Sequence, residues 1–174
     1  MDEKRIKEFI RSIPDFPKPG ILFRDITPLL AEPDVFRDVL KQLADACPLE
    51  TEVVAGIESR GFIFGAAVAA RLGKGFVPIR KPGKLPYLTT SVSYQLEYGT
   101  DTLEIHQDAL ADRRRVVLVD DLLATGGTAA AAHLFQQLAK VGGQVLKALF
   151  LVELRDLDGR ARLAGRTVEA LVGF

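Results

Sequence analysis

VVLVDDLLATGGT, residues 116–128, decides how the rest of the chain is read. Four aliphatic residues run into the adjacent carboxylates Asp120 and Asp121. After Leu122 and Leu123 come the small residues Ala124, Thr125, Gly126, Gly127 and Thr128. An apolar run that ends in acids and then in glycines reads as a buried strand, a tight turn and the start of a helix. Small residues at such a turn let backbone N–H groups point into one concavity, and the helix N-terminus adds the positive end of its dipole. Thr125 and Thr128 bring hydroxyl donors to the same cradle, which suits a phosphate. The two carboxylates sit close enough to accept hydrogen bonds from a sugar diol attached to that phosphate. No lysine follows the glycines, so this is not a nucleoside-triphosphate loop, and no Gly-x-Gly-x-x-Gly fingerprint occurs elsewhere. Taken singly, the acids are ordinary polar punctuation and Thr-Gly-Gly-Thr an ordinary turn and cap. In this order together they point to a phosphorylated ribose.

Outward from this stretch, short apolar strands alternate with helices. Strands are predicted at 53–57, 75–79, 115–119, 145–152 and 167–172, and helices at about 61–72 and 126–141, the latter ended by Gly142 and Gly143. Residues 91–97 alternate Val92, Tyr94 and Leu96 with polar neighbours, a half-exposed strand that pairs with 102–105. The spacing of Ile6, Phe9, Ile10 and Ile13 predicts an amphipathic helix over 1–13. Pro14, Pro17, Pro19 and Gly20 then force an extended segment, and Pro33 opens a helix aiming Phe36, Leu40 and Leu43 at the core. The alternation predicts an α/β fold, a mainly parallel twisted sheet flanked by helices, with ligands beyond the carboxyl ends of its strands. No repeat or linker divides the chain, so residues 1–174 read as one domain.

Composition narrows the function. The 174 residues are 48% hydrophobic and 26% charged, an ordinary globular mixture. The longest apolar run, 62–70, is stopped by Arg71, far short of the ~20 residues that span a bilayer, and the charged N-terminus has no signal-like core. Cys47 is the only cysteine, which excludes an internal disulfide and fits a reducing cytoplasm. Lys and Arg number 23, as do Asp and Glu, and this balance argues against a protein that coats nucleic acid or anionic membranes. The charge is uneven, however. Residues 59–94 hold Arg60, Arg71, Lys74, Arg80, Lys81 and Lys84 and no acid. Arg80, Lys81 and Lys84 alone would read as a solvated face, but the wider window suits a polyanionic ligand.

Residues 116–128 resemble the phosphoribosyl-pyrophosphate (PRPP) signature of type I phosphoribosyltransferases. FPKPGILFRDITPLL (16–30), GIESRGFIFG (56–65), RKPGKLP (80–86) and LEYG (96–99) resemble, in the same order, segments of the adenine phosphoribosyltransferase family. The resemblance runs from Phe16 to at least Val152. It implies that adenine and PRPP are converted to AMP and pyrophosphate, a purine-salvage step, with Mg²⁺ arriving on PRPP rather than held by protein side chains. It also implies a homodimer, and a type I phosphoribosyltransferase fold whose small hood is formed partly by residues 1–32.

The resemblance also distributes roles. Asp120 and Asp121 would hold the ribose hydroxyls, and Ala124, Thr125, Gly126, Gly127 and Thr128 the 5′-phosphate. Ser59, Arg60, Lys81, Lys84 and Tyr98 would bind pyrophosphate, with Glu58–Ser59 the candidate for the family's unusual cis peptide. Phe23 would stack on adenine while backbone groups of Leu22 and Arg24 read its edge. Glu97 would be the acid/base at the purine N7, on a segment that excludes water from an oxocarbenium-like transition state. Without the resemblance, Glu97 reads as a surface acid and Phe23 as a core aromatic. His106 and His133 have no ligand-spaced partners and read as structural, and the segment from Arg155 carries no diagnostic motif. A phosphoribosyltransferase for another purine such as xanthine, a PRPP-sensing regulator and a non-catalytic nucleotide-binding domain are the alternatives.

Overall fold

The computed structural model describes residues 1–95 and 100–174, and the side chains of all these except residues 95, 125–130 and 132. Its centre is a five-stranded, wholly parallel sheet. The strands are β3 (Val53–Ile57), β4 (Gly75–Ile79), β7 (Arg115–Leu123), β8 (Gln144–Glu153) and β9 (Val168–Gly173), in the spatial order β4-β3-β7-β8-β9. Two two-stranded antiparallel ribbons stand apart from it: β1 (Arg11–Pro14) with β2 (Leu22–Asp25), and β5 (Thr89–Gln95) with β6 (Thr100–His106).

Alternation along the strands builds two cores. Val53, Ala55, Val116, Leu118, Ala148 and Phe150 face α5 (Thr125–Lys140) and the β5–β6 ribbon. Val54, Val117, Val119, Leu149 and Leu151 face α4 (Arg60–Leu72), α3 (Pro33–Asp45) and α1 (Glu3–Glu8). Successive side chains of a strand point to opposite faces, so a near-continuous apolar run is what a sheet covered on both sides requires.

Three expectations shift. The helix predicted over 1–13 stops at Glu8. Asp2 caps its start by accepting from the Arg5 N–H, while Ile13 pairs across to Phe23 as part of β1. In α3, Leu43 is buried as expected, but Val35 and Val39 lie deeper than Phe36 and Leu40, which rest half-buried against the cluster. β7 continues four residues past its predicted end, because Leu122 and Leu123 keep pairing with Val152 and Glu153 of β8. A short helix α2 (Thr27–Ala31), absent from the sequence reading, links β2 to α3.

Candidate functional site

The order of the sheet locates the site. β3 feeds α4 on one face and leads to β4 on one side, whereas β7 feeds α5 on the other face and leads to β8 on the other side. The crevice of such a sheet opens where the order reverses, here between the carboxyl ends of β3 and β7. Pairing between these two strands ends at Gly56 and Val119. The next two residues of β7, Asp120 and Asp121, therefore have β8 on one side and the crevice on the other.

Both carboxylates are more than nine-tenths buried. The Asp121 N–H donates to Asp120 Oδ1 at 2.9 Å, and Arg60 Nε, in the first turn of α4, lies 3.0 Å from Asp121 Oδ2. Burial pushes the Asp120 pKa well above the ordinary carboxylate range, and the neighbouring Asp121 charge adds to it. Burial raises Asp121 as well, against the opposing pull of Arg60. Gly61 makes this close approach of α4 to β7 feasible: a Cβ there would lie 2.7 Å from Asp120 Oδ1 and 3.1 Å from the Val119 carbonyl. Two buried acids thus face one guanidinium.

The turn from β3 to α4 carries the cis Glu58–Ser59 bond that the resemblance implied. Ser59 is exposed at the start of α4. Glu58, which sequence reasoning assigned no role, ties this turn to the basic loop. It accepts from Arg80 Nε at 2.7 Å and from the Lys81 N–H at 2.9 Å. Burial opposes its ionisation, but these partners prevail and its pKa is lowered. Arg80 also donates to the Lys84 carbonyl, and the Gly83 N–H to Glu104 Oε2. Lys81 Nζ lies 3.3 Å from Asp101 Oδ2, so it is already paired, and Lys84 is exposed. The local +6 is thus partly neutralised by Glu58 and Asp101, acids that lie outside or at the margin of the basic window.

Arg60 links the acid pair to the N-terminal ribbon, its guanidinium 5.6 Å from the Phe23 ring centroid. Phe23 also meets Phe16 edge-on. Leu22 and Arg24 point to the opposite face of β2. There they line a cavity of about 440 Å³ with Ile21, Leu154, Leu157 and Phe174, and Arg24 stacks 3.8 Å above the Phe174 ring. The segment from Arg155, undiagnostic in sequence, thus packs beside the strand expected to read a base.

Four of the predicted residues, Asp120, Asp121, Arg60 and Phe23, are therefore brought together. α5 begins at Thr125 directly after Ala124, whose extended backbone turns the chain out of β7. The backbone N-terminus of α5 is thus at the carboxyl edge, as a phosphate cradle requires. Glu97 and Tyr98 lie outside the described residues. Among the described residues no three His, Cys, Asp or Glu side chains gather as a metal site.

The chain matches the phosphoribosyl transferase domain over residues 25–163. The adenine phosphoribosyltransferase of Parvibaculum lavamentivorans is 55% identical to it over 167 residues, 95% of this chain and 94% of the relative. The crystal structure of adenine phosphoribosyltransferase from Thermoanaerobacter pseudethanolicus superposes with a TM-score of 0.93 at 50% identity, covering 98% of this chain and 99% of that one. The Saccharomyces cerevisiae enzyme, crystallised with an imino-altritol bisphosphate and adenine, superposes with a TM-score of 0.89 at 36% identity over 97% of each chain.

Proposed function

Since the chain belongs to the adenine phosphoribosyltransferase family, we propose that the crevice between β3 and β7 is where it transfers the 5-phosphoribosyl group of PRPP to adenine. The reaction yields AMP and pyrophosphate. The bond from C1′ to the pyrophosphate oxygen breaks with its electron pair on pyrophosphate, adenine N9 bonds to C1′, and the N9 proton is released. The observation that carries this reading is the buried Asp120–Asp121 pair, joined through Arg60 to Phe23.

The roles combine the geometry of the crevice with the family resemblance. Asp120 and Asp121 accept hydrogen bonds from the ribose hydroxyls, and their charge favours the positive charge that develops on the ring. The N-terminus of α5, from Ala124 to Thr128, takes the 5′-phosphate. Ser59, Arg60, Lys81, Lys84 and Tyr98 take pyrophosphate, for which Lys81 exchanges its Asp101 partner. Phe23 stacks on adenine, Leu22 and Arg24 read its edge through the backbone, and Glu97 serves as acid/base at N7. Mg²⁺ would arrive on PRPP, held mainly by phosphate and ribose oxygens and water rather than by protein side chains, and would offset pyrophosphate charge. The chain works as one domain whose hood includes the β1–β2 ribbon, assembles as a homodimer and acts in the cytoplasm. Family resemblance supports the dimer. No helix among the described residues is long and apolar enough to cross a membrane.

The test is incubation with PRPP, Mg²⁺ and single nucleobases, followed by chromatography of the products. Adenine is expected to give AMP, with Glu97→Gln slowing transfer about 10²–10⁴-fold. Turnover of xanthine or hypoxanthine without adenine would overturn the substrate; PRPP binding with no product from any base would indicate a sensor.

A further inference from the structure

Gln137 is a glutamine with no exposed surface, set in α5 between Leu134 and Leu138 in a cluster that also contains Tyr94, Leu103 and Ile105. Glutamine is mostly a surface residue, because its amide loses four potential hydrogen bonds to water when buried. Here the Nε2 group donates to the Thr90 carbonyl of β5 at 2.5 Å and to the Leu103 carbonyl of β6 at 3.2 Å. Its Oε1 finds no partner among the described residues. A side chain chosen for stability alone would be apolar, since an unsatisfied buried oxygen carries a desolvation cost. What the amide adds is a single clamp on both strands of one hairpin.

That hairpin is bound to α5 elsewhere on the same helix face. His133, one turn before Gln137, stacks on Tyr94 with ring centroids 5.9 Å apart, and the Tyr94 hydroxyl donates to Asp101. Thr90 lies five residues before Gln95, and Leu103 three after Thr100; the connection between Gln95 and Thr100 contains Glu97. The other end of the link is α5 itself, whose N-terminus is the phosphate cradle.

We infer that Gln137 is a positioning residue for phosphoribosyl transfer: it fixes the two strands that flank Glu97 in the sequence against α5, the helix whose N-terminus is read as the 5′-phosphate cradle. The inference rests on the reading of Glu97 given above. Gln137 touches no substrate, so its removal acts on the chemical step and leaves ground-state binding alone. A displaced catalytic group costs roughly 10–100-fold in rate.

The experiment compares wild type, Gln137→Met, Gln137→Leu, Glu97→Gln and the Gln137→Met/Glu97→Gln double variant. Single-turnover AMP formation, equilibrium PRPP binding and thermal melting are measured on each. Gln137→Met is expected to melt within a few degrees of wild type, to bind PRPP within about twofold, and to transfer roughly 10–100-fold more slowly. The double variant should be no more than about twofold slower than Glu97→Gln, because residues that act as a unit are not additive. Gln137→Leu likewise loses both donors and buries no charge, so it should repeat the Met result. An unchanged rate, independent losses that multiply in the double variant, or a rate that falls only together with PRPP affinity and melting temperature would each overturn the inference. So would failure of both Gln137 variants to fold. If Glu97→Gln alone transfers at the wild-type rate, the acid/base reading falls separately, and the rate and affinity of the Gln137 variants decide the clamp.

Discussion

The two ends of β3 and β7 treat carboxylates in opposite ways. At the amino end, Glu52 accepts from the backbone N–H groups of Arg114 and Arg115, at 2.7 and 2.9 Å, and from the Arg115 guanidinium at 2.9 Å. The Arg115 guanidinium and these N–H groups hold its pKa down at about 2. At the carboxyl end, Asp120 and Asp121 are buried around a single arginine, and burial pushes both pKa values up. One end is a finished ion pair that bridges the starts of β3 and β7. The other is a buried, electrostatically unbalanced acid pair, and such groups mark functional sites.

The difference is broken most directly at the acids. Asp120→Asn and Asp121→Asn are each expected to lower kcat/KM for PRPP by roughly 10²–10³-fold, the loss of one or two charge-assisted hydrogen bonds at about 1.5–3 kcal/mol each. Melting temperature in the absence of PRPP should stay level or rise, because a neutral amide replaces a costly buried charge. Steady-state kinetics with PRPP varied, and calorimetry, check the two halves. An activity change below threefold would return the acids to a structural role like that of Glu52.

Gly61→Ala tests the same end through shape. With a methyl group 2.7 Å from Asp120 Oδ1 and 3.1 Å from the Val119 carbonyl, either α4 or the carboxylate must shift. Overpacking of this kind costs about 1–3 kcal/mol in stability. The displaced carboxylate should lower kcat/KM for PRPP by about 10–100-fold. Stability loss without a kinetic effect would show that the approach of α4 serves packing alone.

The contrast also explains what could be read from the sequence. The sheet was legible because strands buried on both faces are nearly all apolar, and the acid pair because it interrupts that pattern just before glycines. The N-terminal helix was overextended because Ile13 keeps helical spacing while its true partner, Phe23, lies ten residues on, and pattern within a segment carries no signal of pairing between segments. Glu58, Asp101 and Phe174 went unassigned for the same reason. Their roles come from contacts with Lys81 and Arg24 that only the folded chain supplies. Arg60 was legible as a cation beside a glycine turn, but its link between Asp121 and Phe23 depends on α4 lying against β7.

The smallest expected effect is on stability against pH, where the two ends should pull apart. A carboxyl whose folded pKa lies above its unfolded value binds protons preferentially in the folded state. The stability it contributes is therefore present at acid pH and lost as pH rises through the folded pKa. Asp120 and Asp121 are of this kind, so acidification from neutrality toward the ordinary carboxylate range should relieve their burden on the protein in the absence of PRPP. Glu52 is the reverse: its contribution is present above the unfolded pKa of about 4.5 and lost as pH falls through about 2. Melting curves of wild type, Asp120→Asn/Asp121→Asn and Glu52→Gln across this range separate the ends. The double aspartate variant should lose the gain on mild acidification, whereas Glu52→Gln should melt lower at neutral pH, keep that gain, and show a shallower loss in strong acid. PRPP binding should weaken over the same mild acidification, because the protons that steady the empty crevice occupy the acceptors that the ribose hydroxyls need.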